Sequence, residues 1–187
     1  MPYKLGGAGL GPGGSFFLSN PTQGVFAALT GFDGNEPGTI RIAQDVVLPG
    51  GSDQLVFDYE CAWDMASSGA TEDKTFEVNI EPSGGGAPLQ TDLILTAQAQ
   101  TTAIPDSGGN LVGVVDVSTF AGQSVRISFD WFVPQGFTGP AFCQLDNVSV
   151  SSVIAPIPTL SEWGLITMAG ILGIVGFMVM RRRKLTA

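Results

Sequence analysis

"VRISFDWFV", residues 125–133, sets Val125, Ile127, Phe129, Trp131 and Val133 against Arg126, Ser128 and Asp130. Successive side chains of a β-strand point to opposite sides, so strict apolar/polar alternation marks a strand with one dry face and one wet face. The same period recurs on either side. In TIRIAQDVVL (39–48), Ile40, Ile42, Val46 and Leu48 oppose Arg41 and Asp45. In LVFDYECAW (55–63), Leu55, Phe57, Tyr59, Cys61 and Trp63 oppose Asp58 and Glu60; in TFEVNIE (75–81), Phe76, Val78 and Ile80 oppose Glu77, Asn79 and Glu81. Between them lie PGGSD, SGGG, DSGGN, AGQ and FTGP, where glycine supplies positive φ and proline fixes the turn entry. Adding VFAAL, DLILTAQA, LVGVVDV and AFCQLDNVSV gives roughly eight strands, enough for two packed antiparallel sheets. The predicted class is all-β, a jelly-roll-type antiparallel β-sandwich.

Composition supports one such domain with a short appendix. The chain has 187 residues, 44% of them hydrophobic, with 26 glycines and 12 prolines, which fits many turns and short strands rather than a helical bundle. Residues 1–155 hold sixteen acids against Lys4, Arg41, Lys74 and Arg126, a net −12. A body of that sign repels phosphate, which excludes nucleic acid as a partner. The chain has no histidine. That rules out Ser-His-Asp and Cys-His nucleophiles and His-ligated metal sites. Cys61 and Cys143 are too few for a Cys₄ metal site; in an oxidising compartment they can form a disulfide, and otherwise they are two separate buried thiols.

The C-terminal end reverses both the charge and the hydropathy. Residues 151–156 form a proline-bearing linker, and residues 157–187 follow as a unit. Gly164 to Met180 is a run of 17 residues without a charge, spanning about 25 Å as a helix, at the short limit for crossing a bilayer. Trp163 on one side and Arg181, Arg182, Arg183 and Lys184 on the other extend that reach, the indole at the interface and the cationic chains snorkelling. One C-terminal transmembrane helix (164–180) is therefore expected, with residues 181–187 as a basic cytoplasmic tail and the sandwich outside the membrane.

Ile157, Pro158, Thr159, Leu160, Trp163 and Gly164, followed by an apolar span and a basic cluster, closely resemble the IPTLxxWG C-terminal sorting signal of bacterial envelope proteins. The resemblance implies a Gram-negative exported substrate, held in the inner membrane by its tail, processed by an exosortase-type membrane enzyme, and released or re-anchored at the cell surface. An extended proline-bearing motif beside the membrane offers backbone that an enzyme can bind, whereas the helix beyond is already bonded internally. Exported substrates of this kind start with a signal peptide. Residues 1–14, MPYKLGGAGLGPGG, are too broken by glycine to be one, so the true start is expected upstream. Residues 15–150 also look like the β-sandwich of many exported bacterial proteins, similar to galactose-binding and carbohydrate-binding jelly rolls.

Several residues are candidates for sites. Asp33, Asn35 and Glu36 lie on a glycine-kinked loop and are oxygen ligands of the kind calcium prefers, although an Asx turn uses the same residues. The jelly-roll resemblance adds Asp146, the acid of the final strand, to a structural calcium site. Glu60, Asp64, Glu77, Glu81 and Asp130 are the carboxylates from which a glycosidase pair would be drawn. Glu60, Glu77, Glu81 and Asp130 have outward parity, which assigns them to a solvated sheet face. Phe57, Tyr59, Trp63 and Trp131 have inward parity and belong to the core, whereas Phe132 and Phe137 are placed for exposed apolar contacts.

The expectation is an exported cell-envelope protein that is not an enzyme, its sandwich binding glycans or extracellular polysaccharide or serving a structural role in the extracellular matrix. The alternatives are a membrane-anchored carbohydrate-active enzyme and a self-assembling fibre or layer subunit.

Overall fold

A computed structural model of the chain describes residues 4–7, 17, 19–31, 37–66, 68–103 and 110–152. The described residues form ten strands: β1 (Lys4–Gly7), β2 (Phe26–Gly31), β3 (Gly38–Val47), β4 (Ser52–Asp64), β5 (Lys74–Pro82), β6 (Gln90–Ala97), β7 (Thr102–Ala103), β8 (Leu111–Asp116), β9 (Ser124–Val133) and β10 (Ala141–Ser152). A single 3₁₀ turn, Ser118–Phe120, accompanies them. Eight match the strands read from alternation. The short β1 and β7 are additions, and β1 carries the pleated structure back to Lys4, ahead of the expected start at residue 15.

Two antiparallel sheets result. The larger runs β1-β2-β10-β4, with β7 and β8 both flanking β4 on its far side; the smaller runs β3-β9-β5-β6. Without the two short strands, the orders become β2-β10-β4-β8 and β3-β9-β5-β6. This is the double Greek-key winding of a jelly roll, in which every connection among these eight strands crosses from one sheet to the other except the β5–β6 hairpin, which stays within the smaller sheet. Almost every pairing is long-range. The β3–β9 ladder, for example, keeps ten residues in register from Gly38↔Val133 to Val47↔Ser124.

The core lies between the sheets and is built from the apolar sets that alternation marked. Leu55, Phe57, Phe76, Val78, Ile80, Val125, Ile127, Phe129, Trp131 and Val133 are all buried. Phe57 makes an edge contact with Phe129 at 5.0 Å between ring centroids, and Phe76 packs against both Phe129 and Trp131, the offset geometries that ring quadrupoles favour. Tyr59 is buried with them. Trp63 is only half-buried because it sits near the sandwich end, where its indole N–H donates to Thr101 Oγ1 at 2.9 Å. Gly113, opposite Phe57 in the β4–β8 ladder, carries no side chain, and the Phe57 ring occupies that space.

At the β3 edge the packing is looser. Ile42 and Val46 share the inward parity of Ile40 but are half-buried, because β3 ends its sheet. Ile42, Val46, Ile127, Phe129, Leu145 and Val148 line an open apolar groove of about 140 Å³ there.

Candidate functional site

Outward parity does not mean exposure in this molecule. Glu60, Glu81 and Asp130, assigned to a solvated face by alternation, are 4%, 1% and 5% exposed. Alternation reports which side of the sheet a residue takes, but not what lies over that side.

On the larger sheet, the outer face is covered by the chain itself. Phe17, Leu29, Ala62 and Phe142 form a second apolar cluster there, and the segment from Ser19 to Gln23 is bonded across it. Gln144, fully buried, accepts from the Ser19 hydroxyl and the Asn20 amide and donates to the Asn20 carbonyl, each at 2.8 Å. Glu60 sits opposite Gln144 in the β4–β10 register, beneath this strap. Cys61 and Cys143 are the next opposed pair and form a disulfide between β4 and β10. Asp146 closes the same strap: its Oδ2 accepts the backbone amides of Thr22 at 2.7 Å and Gln23 at 2.9 Å, and its Oδ1 accepts that of Asn147. Its oxygens therefore serve a turn. Asp33, Asn35 and Glu36 lie outside the described residues, and among the described residues no three acidic or cysteine side chains converge as metal ligands.

The outer face of the smaller sheet is different. Three ladder rungs cross it in register: Arg41–Asp130–Glu77, Ala43–Ser128–Asn79 and Asp45–Arg126–Glu81. Arg41 is the hub. Its Nε and Nη2 donate to the two oxygens of Asp130 at 2.8 and 2.6 Å, and its Nη1 lies 2.9 Å from Glu81 Oε1. A planar fork matched to a carboxylate in this way is the strongest ion-pair geometry available to arginine. The Asn79 amide donates to Asp130 at 2.8 Å and accepts from Thr91 on β6, so a single chain of polar contacts spans all four strands. At one end Arg126 forms a second fork with Asp45, at 3.0 and 2.9 Å, and the Gly84 amide also donates to Asp45.

These contacts act on the charges. Hydrogen bonding to Asp130, reinforced by the charges of Asp130 and Glu81, raises the Arg41 pKa against partial desolvation. The Arg126 fork and the Gly84 amide hold the Asp45 carboxyl below the ordinary carboxylate range. Four carboxylates (Asp45, Glu77, Glu81, Asp130) meet two guanidinium groups here, leaving the face two charges negative.

Phe132, 43% exposed, and Leu93, 59% exposed, border this face on the β9 and β6 strands. Phe137, 69% exposed, projects from the loop that follows β9 and holds a left-handed backbone, φ 54°. That loop is braced from below: buried Lys74 donates to the Gly139 carbonyl, Ser68 to that of Thr138, and the Gln135 side chain caps the amides of Thr71 and Glu72. Aromatic contacts at Phe132 and Phe137 were anticipated from sequence. The Arg41 hub was not, although its signal was present as opposite charges of equal parity on three strands.

The sorting motif (Ile157–Gly164), the apolar run 164–180 and the cations 181–184 lie outside the described residues. Among the described residues no helix is long and apolar enough to cross a membrane.

Comparison with known proteins gives one match at the tail and distant ones for the body. Residues 155–183 match the IPTL-CTERM motif, the same stretch that resembles the sorting signal. Among solved structures, the body is similar to TmCBM61, solved in complex with β-1,4-galactotriose, at 12% identity and TM-score 0.45, covering 80% of this chain and 88% of that one. It is also similar to two cleaved adhesin domains of Lys-gingipain from Porphyromonas gingivalis. One is 15% identical with TM-score 0.42, covering 76% of this chain and 82% of the domain; the other is 16% identical with TM-score 0.42, covering 81% and 83%. Among curated proteins none matches.

Proposed function

We propose that this chain is an exported cell-surface protein whose sandwich binds hydroxyl-rich glycan chains across the outer face of the smaller sheet, without catalysing a reaction on them. The observation that carries this reading is the Arg41 hub, with both forks and the Asn79 amide locked before any ligand arrives. Fixed planar donors and acceptors suit sugar hydroxyls, since little side-chain entropy remains to be lost on binding. Of the five guanidinium N–H donors of Arg41, three are used internally among the described residues, which leaves two to meet a ligand. Phe132 beside the hub offers a ring face for the apolar side of a sugar. The net negative charge favours neutral or amino sugars over uronic acids. Catalysis is disfavoured because Asp130 and Glu81 are engaged by a guanidinium group, whereas a glycosidase acid must hold a proton and reach the glycosidic oxygen.

The tail supports the proposed location. The match at 155–183 supports export and surface delivery. In this proposal residues 164–180 span the inner membrane of a Gram-negative precursor, the sandwich faces the periplasm, and an exosortase-type enzyme reads Ile157–Gly164 before the product reaches the surface or matrix.

The test is a glycan array followed by titration calorimetry on the best ligand, with Arg41→Ala, Asn79→Ala and Phe132→Ala. Each removes contacts worth about 1–2 kcal/mol, a loss of roughly tenfold or more in affinity. Binding unchanged in all three variants, or release of reducing sugar that one carboxylate change abolishes, would refute it.

A further inference from the structure

We infer that the sugar selected by the outer face of the smaller sheet is a hexosamine with a free amino group, its ammonium held between the Glu77 carboxylate and the Phe132 ring. The inference rests on the glycan-binding reading above and names the substrate class of that same face.

Charge is unevenly placed on this face. Along the strands its rungs run Thr39–Phe132–Thr75, Arg41–Asp130–Glu77, Ala43–Ser128–Asn79 and Asp45–Arg126–Glu81. Arg41 starts one rung from Phe132, but its guanidinium group reaches away from that ring, to Glu81 Oε1 in the last rung. Arg126 is held by Asp45 within the last rung. Both cations are thus turned toward the end of the face away from Phe132, and each is matched there by a carboxylate. Glu77 is not matched: among the described residues no cation pairs with it.

A neighbour fixes the direction of the Glu77 carboxylate. The Thr75 hydroxyl donates to Glu77 Oε1 at 2.8 Å, and Thr75 directly opposes Phe132 in the β5–β9 ladder. The carboxylate is therefore bent out of its own rung toward the aromatic one. On its other side Leu93 opposes Glu77 from β6. Leu93 is 59% exposed and Phe132 43%, so an unneutralised carboxylate sits between two uncovered apolar side chains.

A carboxylate beside an aromatic face attracts a cation, because the ring quadrupole presents negative charge at its face. Covering Phe132 and Leu93 with a ligand would exclude water and strengthen the charge contact. A hexosamine meets both demands. The C–H face of its ring lies on Phe132, and the ammonium beside that face donates a charge-assisted hydrogen bond to Glu77. N-acetylation removes the positive charge, and a uronic acid or phosphorylated sugar would bring like charge against Glu77. A lone alkylammonium, such as a lysine side chain, supplies the charge but neither the rigid apolar face nor hydroxyls for Arg41.

The test is titration calorimetry on the full chain in mild detergent, with β-1,4-linked tetramers of glucosamine, N-acetylglucosamine and glucose, in a mildly acidic buffer that keeps the amino groups protonated. The glucosamine tetramer should bind roughly three- to tenfold tighter than the other two, as expected of a half-exposed ion pair backed by a ring. Added salt should shrink that advantage. Glu77→Gln keeps an acceptor for Thr75 and should erase the advantage, and Phe132→Leu should reduce it. Asp116→Asn removes an equal charge from β8 of the other sheet and should leave the advantage intact, which separates a site from general attraction of a polycation to an acidic body. Thermal melts check that the variants fold. Equal affinity for the three tetramers, an advantage that survives Glu77→Gln or falls equally with Asp116→Asn, or failure of the glucosamine tetramer to bind a chain that binds other glycans would overturn the inference and leave the glycan reading standing. Absence of binding to any glycan on the array would overturn both.

Discussion

Replacing both Cys61 and Cys143 by alanine should cost this sandwich a large part of its stability, although the two residues remain neighbours without the bond. They oppose each other on adjacent strands β4 and β10, 4.2 Å apart at Cα, so the ladder alone holds them together once folded. The link acts on the unfolded chain. It ties residues 82 positions apart, and for a loop of that length the chain-entropy relation gives about 4.5 kcal/mol at 25 °C. Domains this size hold roughly 5–15 kcal/mol in total, and each lost kcal/mol lowers the midpoint by about 2–4 °C. The midpoint should therefore fall by roughly 10–15 °C. Alanine is preferred to serine because Cys143 is 1% exposed and a hydroxyl there would need a partner. The assay is thermal and urea unfolding of the full chain in mild detergent, followed by circular dichroism, with reduced wild type alongside. The urea dependence should steepen in the variant, because an unlinked chain exposes more surface on unfolding. A stability difference under about 1 kcal/mol, or reduced wild type behaving like oxidised, would refute the reasoning.

Other outcomes follow from single positions. Gly113→Ala places a Cβ inside the Phe57 ring, so it should destabilise by about 1–3 kcal/mol in chemical unfolding, and Phe57→Leu in the same chain should recover part of that loss. Gly139→Ala should also destabilise, since its φ of 90° disfavours any side chain and the added carbon meets the Asp64 carbonyl. For pH, the folded Asp45 carboxyl is held below its ordinary range; its contribution is present above about pH 4 and is lost as acid takes the solution through the lower folded value. Thermal melts of wild type and Asp45→Asn should thus differ at neutral pH and converge as the solution is acidified below the ordinary carboxylate range. At the tail, Pro158→Ala should leave intact mass still carrying Arg181–Lys184 on protein recovered from its own cells, and full-length precursor should stay with membranes through a carbonate wash; loss of the basic end despite the substitution, or precursor in the aqueous fraction, would contradict the sorting proposal.

Much of this protein was legible in one dimension. A strand's side chains alternate by covalent geometry, so the inward sets of β3, β4, β5 and β9 and their separating turns could be named before any pairing was known. The outward place of Phe132 followed in the same way, and Phe137 was placed by the glycine- and proline-bearing loop that holds it. The sorting motif is also linear, and the match at residues 155–183 was recognisable residue by residue. Tertiary structure decided what parity leaves open. Glu60 shares the outward parity of Asp58, yet it is buried because the segment around Phe17 and Ser19 folds over that face. Arg41 meets Asp130 and Glu81 only because the winding sets β9 between β3 and β5, bringing together residues 40 to 89 positions apart. Periodicity is a property of each strand alone, whereas register and cover belong to pairs of strands distant in the chain. The oily face of each strand could be read locally, but the polar face acquired its chemistry from neighbours that only the folded chain supplies.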